Sequence, residues 1–74
     1  MLYDKRYGLL RQELQNLRRA AAMTQSDIAR LLGHSQSYVS KVESGEQYLD
    51  VILFVDWCGA LKADPSKVLE HIQG

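Results

Sequence analysis

At 74 residues the chain supports one small domain, 1–74, that buries only about 60% of its unfolded surface and usually needs a disulfide, a metal or a partner. Cys58 stands alone, which excludes an internal disulfide, and His34 and His71 share no ligand spacing with it, so self-association is the open route and no metal or cofactor is expected. Nine Lys and Arg balance nine Asp and Glu, and zero net charge argues against a strong nonspecific polyanion binder.

The first helix is predicted over roughly residues 5–22. Leu10, Leu14, Leu17 and Ala21 recur at four- and three-residue spacing and share a face. Its start is blurred by Gly8, a poor interior residue. Residues 1–23 hold five cations, Lys5, Arg6, Arg11, Arg18 and Arg19, against Asp4 and Glu13. Lys5-Arg6 and Arg18-Arg19 read equally well as a solvated surface or as phosphate contacts.

Thr24 reads as the N-cap of a second helix, with Asp27 at the third position as a variant of the capping box. Ile28, Ala29, Leu31 and Leu32 form its expected buried side. Gly33 can take the left-handed conformation that stops a helix. Ser35 caps a third helix, 36–44, which Gly45 ends. Val39 and Val42 point inward, with Tyr38 leaning that way. Gln36, Ser37, Ser40, Lys41 and Ser44 share the opposite face. Short amide, hydroxyl and ammonium groups on an exposed helix suit hydrogen bonding to base edges. Two short helices joined at a glycine, the second with such a face, have the sequence form of a helix-turn-helix over about 24–45, whose second helix fits the major groove.

Asp50 is the expected N-cap of a fourth helix reaching about Leu61. There Val51, Phe54, Cys58 and Leu61 follow a three-four-three spacing that faces the core. Ile52, Leu53 and Val55 then point elsewhere, with Trp57 at a boundary. An apolar patch of this size marks an interface more often than a greasy surface. The expectation is a two-fold dimer through Ile52, Leu53, Val55 and Trp57, helices four and five (about 50–72) contributing, and a weaker dimer in Leu53→Glu. Asp64-Pro65 opens a fifth helix with an Asp cap and Pro at the first position. Val68, Leu69 and Ile72 are its apolar side. Cys58 is expected to pack as a small core residue, and His71 to lie at the surface. The fold class is all-α, a compact domain of five helices, with no strand signal.

The order and spacing of several fragments carry a resemblance. They are Leu14-x-x-Leu17-Arg18, Thr24-Gln25-x-x-Ile28-Ala29-x-x-Leu32-Gly33, Ser35-Gln36-x-x-Val39-Ser40-x-x-Glu43-x-Gly45, and Leu49-Asp50-Val51 followed by Phe54 and Leu61. From about Leu14 to Leu69 the chain resembles the Cro/repressor-type (XRE-like) helix-turn-helix regulators. The resemblance implies a five-helix repressor-like domain, a homodimer, and double-stranded DNA with a palindromic operator as the ligand. Gln25 would hold a phosphate. Gln36, Ser37 and Lys41 would be the main base readers, with Tyr38 and Ser40 as flanking sugar-phosphate or base contacts; Ser35 and Arg19, to which the resemblance assigns no role, complete the expected DNA-binding set. Tyr38 divides evenly between core edge and phosphate. Arg18 would pair with Glu43 and pin the first helix to the third. The sequence departs from the family at Gln47, commonly Arg, and at Leu53, often Glu.

A sequence-specific transcription regulator is thus the leading function. A protein-interaction module or antitoxin, binding a toxin or other partner through the apolar fourth helix, is the alternative. An enzyme is not expected, because no nucleophile–base pair, phosphate loop or metal cluster is present in recognisable order. No apolar run approaches the roughly 18 residues of a membrane span, and the start lacks a signal-peptide core, so the expected location is cytoplasmic.

Overall fold

The computed structural model describes residues 4–73. Five helices follow one another: α1 (Lys5–Ala20), α2 (Gln25–Leu32), α3 (Gln36–Ser44), α4 (Val51–Ala60) and α5 (Pro65–Glu70). There is no strand among the described residues, and none of these helices is long and apolar enough to cross a membrane.

Each helix starts on a side-chain cap, four of them expected from the sequence and the fifth, Asp4 at α1, seen only in the structure. Asp4, Thr24, Ser35, Asp50 and Asp64 each accept a hydrogen bond from a first-turn amide. At Thr24 the exchange is mutual: Oγ1 accepts from Asp27 N at 3.1 Å and Asp27 Oδ2 accepts from Thr24 N at 2.9 Å. The Thr24 N–H, with the Thr24 hydroxyl adding to it, holds the Asp27 carboxyl below its ordinary range. The turn between α2 and α3 is closed by Gly33 at φ 73°, with His34 N donating to Ala29 O at 3.0 Å. A side chain at Gly33 would meet open space, so the glycine is needed for its backbone angle rather than for room.

α2 packs on α3 and α4, α1 lies across α3 and α5, and α4 meets α5. Leu14, Ile28, Val39, Val42, Trp57 and Cys58 are enclosed where these helices converge. Burial pushes the Cys58 thiol above its ordinary range, with the Asp64 charge adding to the shift, so it packs as an unreactive apolar group. His71 is exposed at the end of α5, with Nδ1 2.6 Å from Glu13 Oε2 on α1.

Four expectations need correction. α1 stops at Ala20, because Ala22 turns left-handed at φ 58° and Met23 N closes onto Arg18 O. Ala21 therefore lies beyond the buried stripe and is exposed. Leu31 is 59% exposed. On the wheel it lies about 110° from the centre of the Ile28–Leu32–Ala29 arc, outside what α3 and α4 cover. Leu69 is also exposed, leaving Val68 and Ile72 as the inward residues of α5.

The fourth correction redraws α4. Val51, expected in the core, is 74% exposed, whereas Leu53 and Trp57, expected at a dimer face, are 6% and 0% exposed. The helix is turned by roughly 50° from the expected setting. Trp57 accounts for it: the largest side chain of the helix gains most from burial, and α4 rotates to enclose it. Leu53, one turn before Trp57, is carried inward with it, and Val51 is carried out. The outward arc is then Val51, Ile52 and Val55.

Candidate nucleic-acid interface

The core of the site is a polar chain that starts in the interior and ends on the outer surface of α3. Arg18 on α1 meets Glu43 on α3 side-on. Nε lies 2.7 Å from Oε2 and Nη2 lies 3.0 Å from Oε1, while Nη1 donates to Met23 O at 2.9 Å. Both side chains are nearly enclosed, at 9% and 3% exposure. This is the ion pair that the resemblance implied, in bidentate form. Gln15 joins it, its Nε2 donating to Glu43 Oε1 at 3.4 Å. Gln15 precedes Arg18 by three residues and so shares its face of α1, a spacing visible in the sequence but not used there.

Gln25, at the first position of α2, donates from Nε2 to Glu43 Oε1 at 2.9 Å. Gln36, at the first position of α3, donates from Nε2 to Gln25 Oε1 at 2.7 Å. The directions follow from chemistry. An ionised carboxylate only accepts, so Gln25 must turn its amide nitrogen to Glu43 and its oxygen outward, and Gln36 must answer with nitrogen. One N–H and the carbonyl oxygen of Gln36 then remain for a ligand. Burial pushes the Glu43 carboxyl up, but the hydrogen bonds from Arg18 and Gln25, the Arg18 charge and the Gln15 amide outweigh it. The net position is below the ordinary range, so Glu43 is charged.

The other expected residues fall around this chain. Ser37 and Lys41 are exposed on α3 beside Gln36, and Ser40 is half-buried. Ser35 is exposed, and its Oγ is engaged as the cap of α3, accepting from Tyr38 N at 3.1 Å. Tyr38 is half-buried and stacks on His34, ring centroids 4.3 Å apart at 16°. That stack holds the turn against the first turn of α3 and was not foreseen. Arg19 is exposed in the last turn of α1, one residue from the buried Arg18. Gln25 was expected to grip phosphate with its side chain; here that side chain bridges Glu43 and Gln36.

A family model described as a helix-turn-helix domain matches residues 9–69. An XRE-family like protein from Pseudomonas syringae pv. tomato str. DC3000 superposes with a TM-score of 0.89 at 41% identity, covering 96% of this chain and 87% of that one. The clp gene regulator ClgR from C. glutamicum superposes with a TM-score of 0.82 at 25% identity, covering 90% and 87%. No curated protein matches the chain. The two capped helices about Gly33, the Arg18–Glu43 pair behind them and these likenesses agree: the chain belongs to the XRE-like family of helix-turn-helix regulators.

Proposed function

We propose that the protein is a sequence-specific transcription regulator that binds a palindromic operator as a homodimer, with α3 in the major groove. The observation that carries this reading is the hold on Gln36. Its amide is fixed through Gln25 to a charged, enclosed Glu43 and presents one donor and one acceptor outward. That pair matches the N7 acceptor and N6 donor of adenine. Ser37 and Lys41 read neighbouring bases. Ser35, Tyr38, Ser40 and Arg19 contact the backbone, and the Gln25 phosphate contact passes to the main-chain N–H at the start of α2.

A second copy docks on the outward arc of α4. Ile52 and Val55 keep the role expected of them, Val51 joins them, and Leu53 and Trp57 serve the core instead. Two copies of α3 are then spaced for half-sites about 34 Å apart. Selection of bound sites from random duplexes is expected to return an inverted repeat at that spacing. Gln36→Ala should cost ~1–3 kcal/mol on the selected site and relax preference at one base pair. A Gln36→Ala variant that binds the selected site as wild type does, and still discriminates every single-base variant that wild type discriminates, removes Gln36 from the reading face. The exposed apolar arc also favours the antitoxin reading, with a different protein on α4. A chain that sediments as a monomer at tens of micromolar, with and without DNA, selects that reading over the homodimer.

A further inference from the structure

Arg11 is unlike the other arginines of α1. Arg6 pairs with Asp4, Arg18 pairs with Glu43 and Arg19 is exposed to water, whereas Arg11 is half-buried and in none of the ion pairs among the described residues. Its guanidinium carbon lies 5.1 Å from the centre of the Tyr7 ring. Nε and Nη2 are enclosed and have no hydrogen-bond partner. Nη1 is not one of those enclosed atoms, and it stands beside Gly45, where a Cβ would come within 3.3 Å of it. An enclosed guanidinium with unused N–H groups works against folding. The Tyr7 ring offsets part of that cost but satisfies neither of the enclosed N–H groups, so packing gives arginine little net advantage over methionine here.

The position of the group suggests another reason. Gly45 ends α3, so Arg11 reaches from α1 to the C-terminal end of the helix whose N-terminal end carries Gln36. Nine residues at about 1.5 Å each give α3 a length of roughly 13 Å, close to the ~12 Å width of the major groove. The two ends of such a helix approach the two phosphate strands that bound the groove. At the far end the segment 45–50, GEQYLD, holds Glu46 and Asp50 and no Lys or Arg. Glu46 accepts from Ser44 Oγ and Asp50 caps α4, and neither forms an ion pair with Arg11.

We infer that Arg11 is a DNA-backbone contact: it takes a phosphate of the bound duplex at the Gly45 end of α3 and supplies the cation that the α3–α4 connection lacks. This rests on the DNA reading above. Binding would place an anion at a group that the folded chain leaves unpaired.

Titrating wild type, Arg11→Met and Arg11→Met/Gln47→Arg with a duplex selected by wild type, across a salt series, tests it. Arg11→Met should flatten the log–log salt slope by about 0.9 and weaken binding about eightfold at about 0.1 M salt, alike for all sequences. Its melting temperature should not fall, and Gln47→Arg should restore the slope by putting a cation on the connection. Unchanged slope and affinity in Arg11→Met would overturn the inference, as would failure of that variant to fold or failure of Gln47→Arg to restore the slope. The DNA reading fails separately, if wild type selects no duplex. If Gln36→Ala loses preference while Arg11→Met binds as wild type does, only the Arg11 assignment falls.

Discussion

Glu43→Ala should destabilise the fold by about 3–5 kcal/mol, because it removes one partner of an enclosed ion pair and leaves the other charged. Arg18 would keep Met23 O and lose both carboxylate oxygens, at 9% side-chain exposure. The amides of Gln15 and Gln25 lose their acceptor at the same moment. At about 0.05–0.15 kcal/mol per residue, a chain of this length has roughly 4–11 kcal/mol in total, so the change consumes much of it. A melting temperature lower by at least about 12 °C is expected by circular dichroism. A fall of less than about 4 °C, roughly 1 kcal/mol, would mean that the pair does not hold α1 to α3. The folded carboxyl lies below its ordinary range, so its stabilisation is complete at neutral pH and is lost as pH falls through the folded value. Glu43→Gln should flatten that acid limb. It should also loosen Gln36, since Gln25 would no longer face an obligate acceptor.

Most of the fold was legible because its signals are local. Thr24, Ser35, Asp50 and Asp64 announce helix starts by their own hydroxyl or carboxylate, and Gly33 and Gly45 announce stops by their freedom at positive φ. The stop of α1 was not announced, since Ala22 adopts the same left-handed geometry with no residue-type signal. The Arg18–Glu43 pair was reached through resemblance. Its extension through Gln25 to Gln36 was not, because a hydrogen-bonded relay between three helices leaves no period in the sequence. Arg11 was visible only as one of several basic residues, since its unpaired state is a property of what surrounds it.

The rotation of α4 yields the other large effect, as a contrast between adjacent residues. Leu53→Glu should strongly destabilise the chain, because the packing lost around Trp57 exceeds what a Glu at the third position can return as a capping box with Asp50, whereas Ile52→Glu should leave it folded and separate the proposed dimer. Leu53 is 6% exposed and Ile52 70%, although the sequence alone placed both outside. Replacing an enclosed leucine forfeits about 2–5 kcal/mol of packing even without a charge. A carboxylate there must also leave water, beside the Asp50 carboxylate that caps Leu53 N at 2.8 Å. The sum approaches the whole stability of a domain this small. At Ile52 the monomer loses little, within about 0.5 kcal/mol, because the side chain is already in water. Two carboxylates brought together at the proposed two-fold interface would repel, so that variant should sediment as a folded monomer at concentrations where wild type is expected to dimerise. Circular dichroism and sedimentation on the pair separate the outcomes. A folded, monomeric Leu53→Glu would return Leu53 to the interface and refute the rotation that buries Trp57.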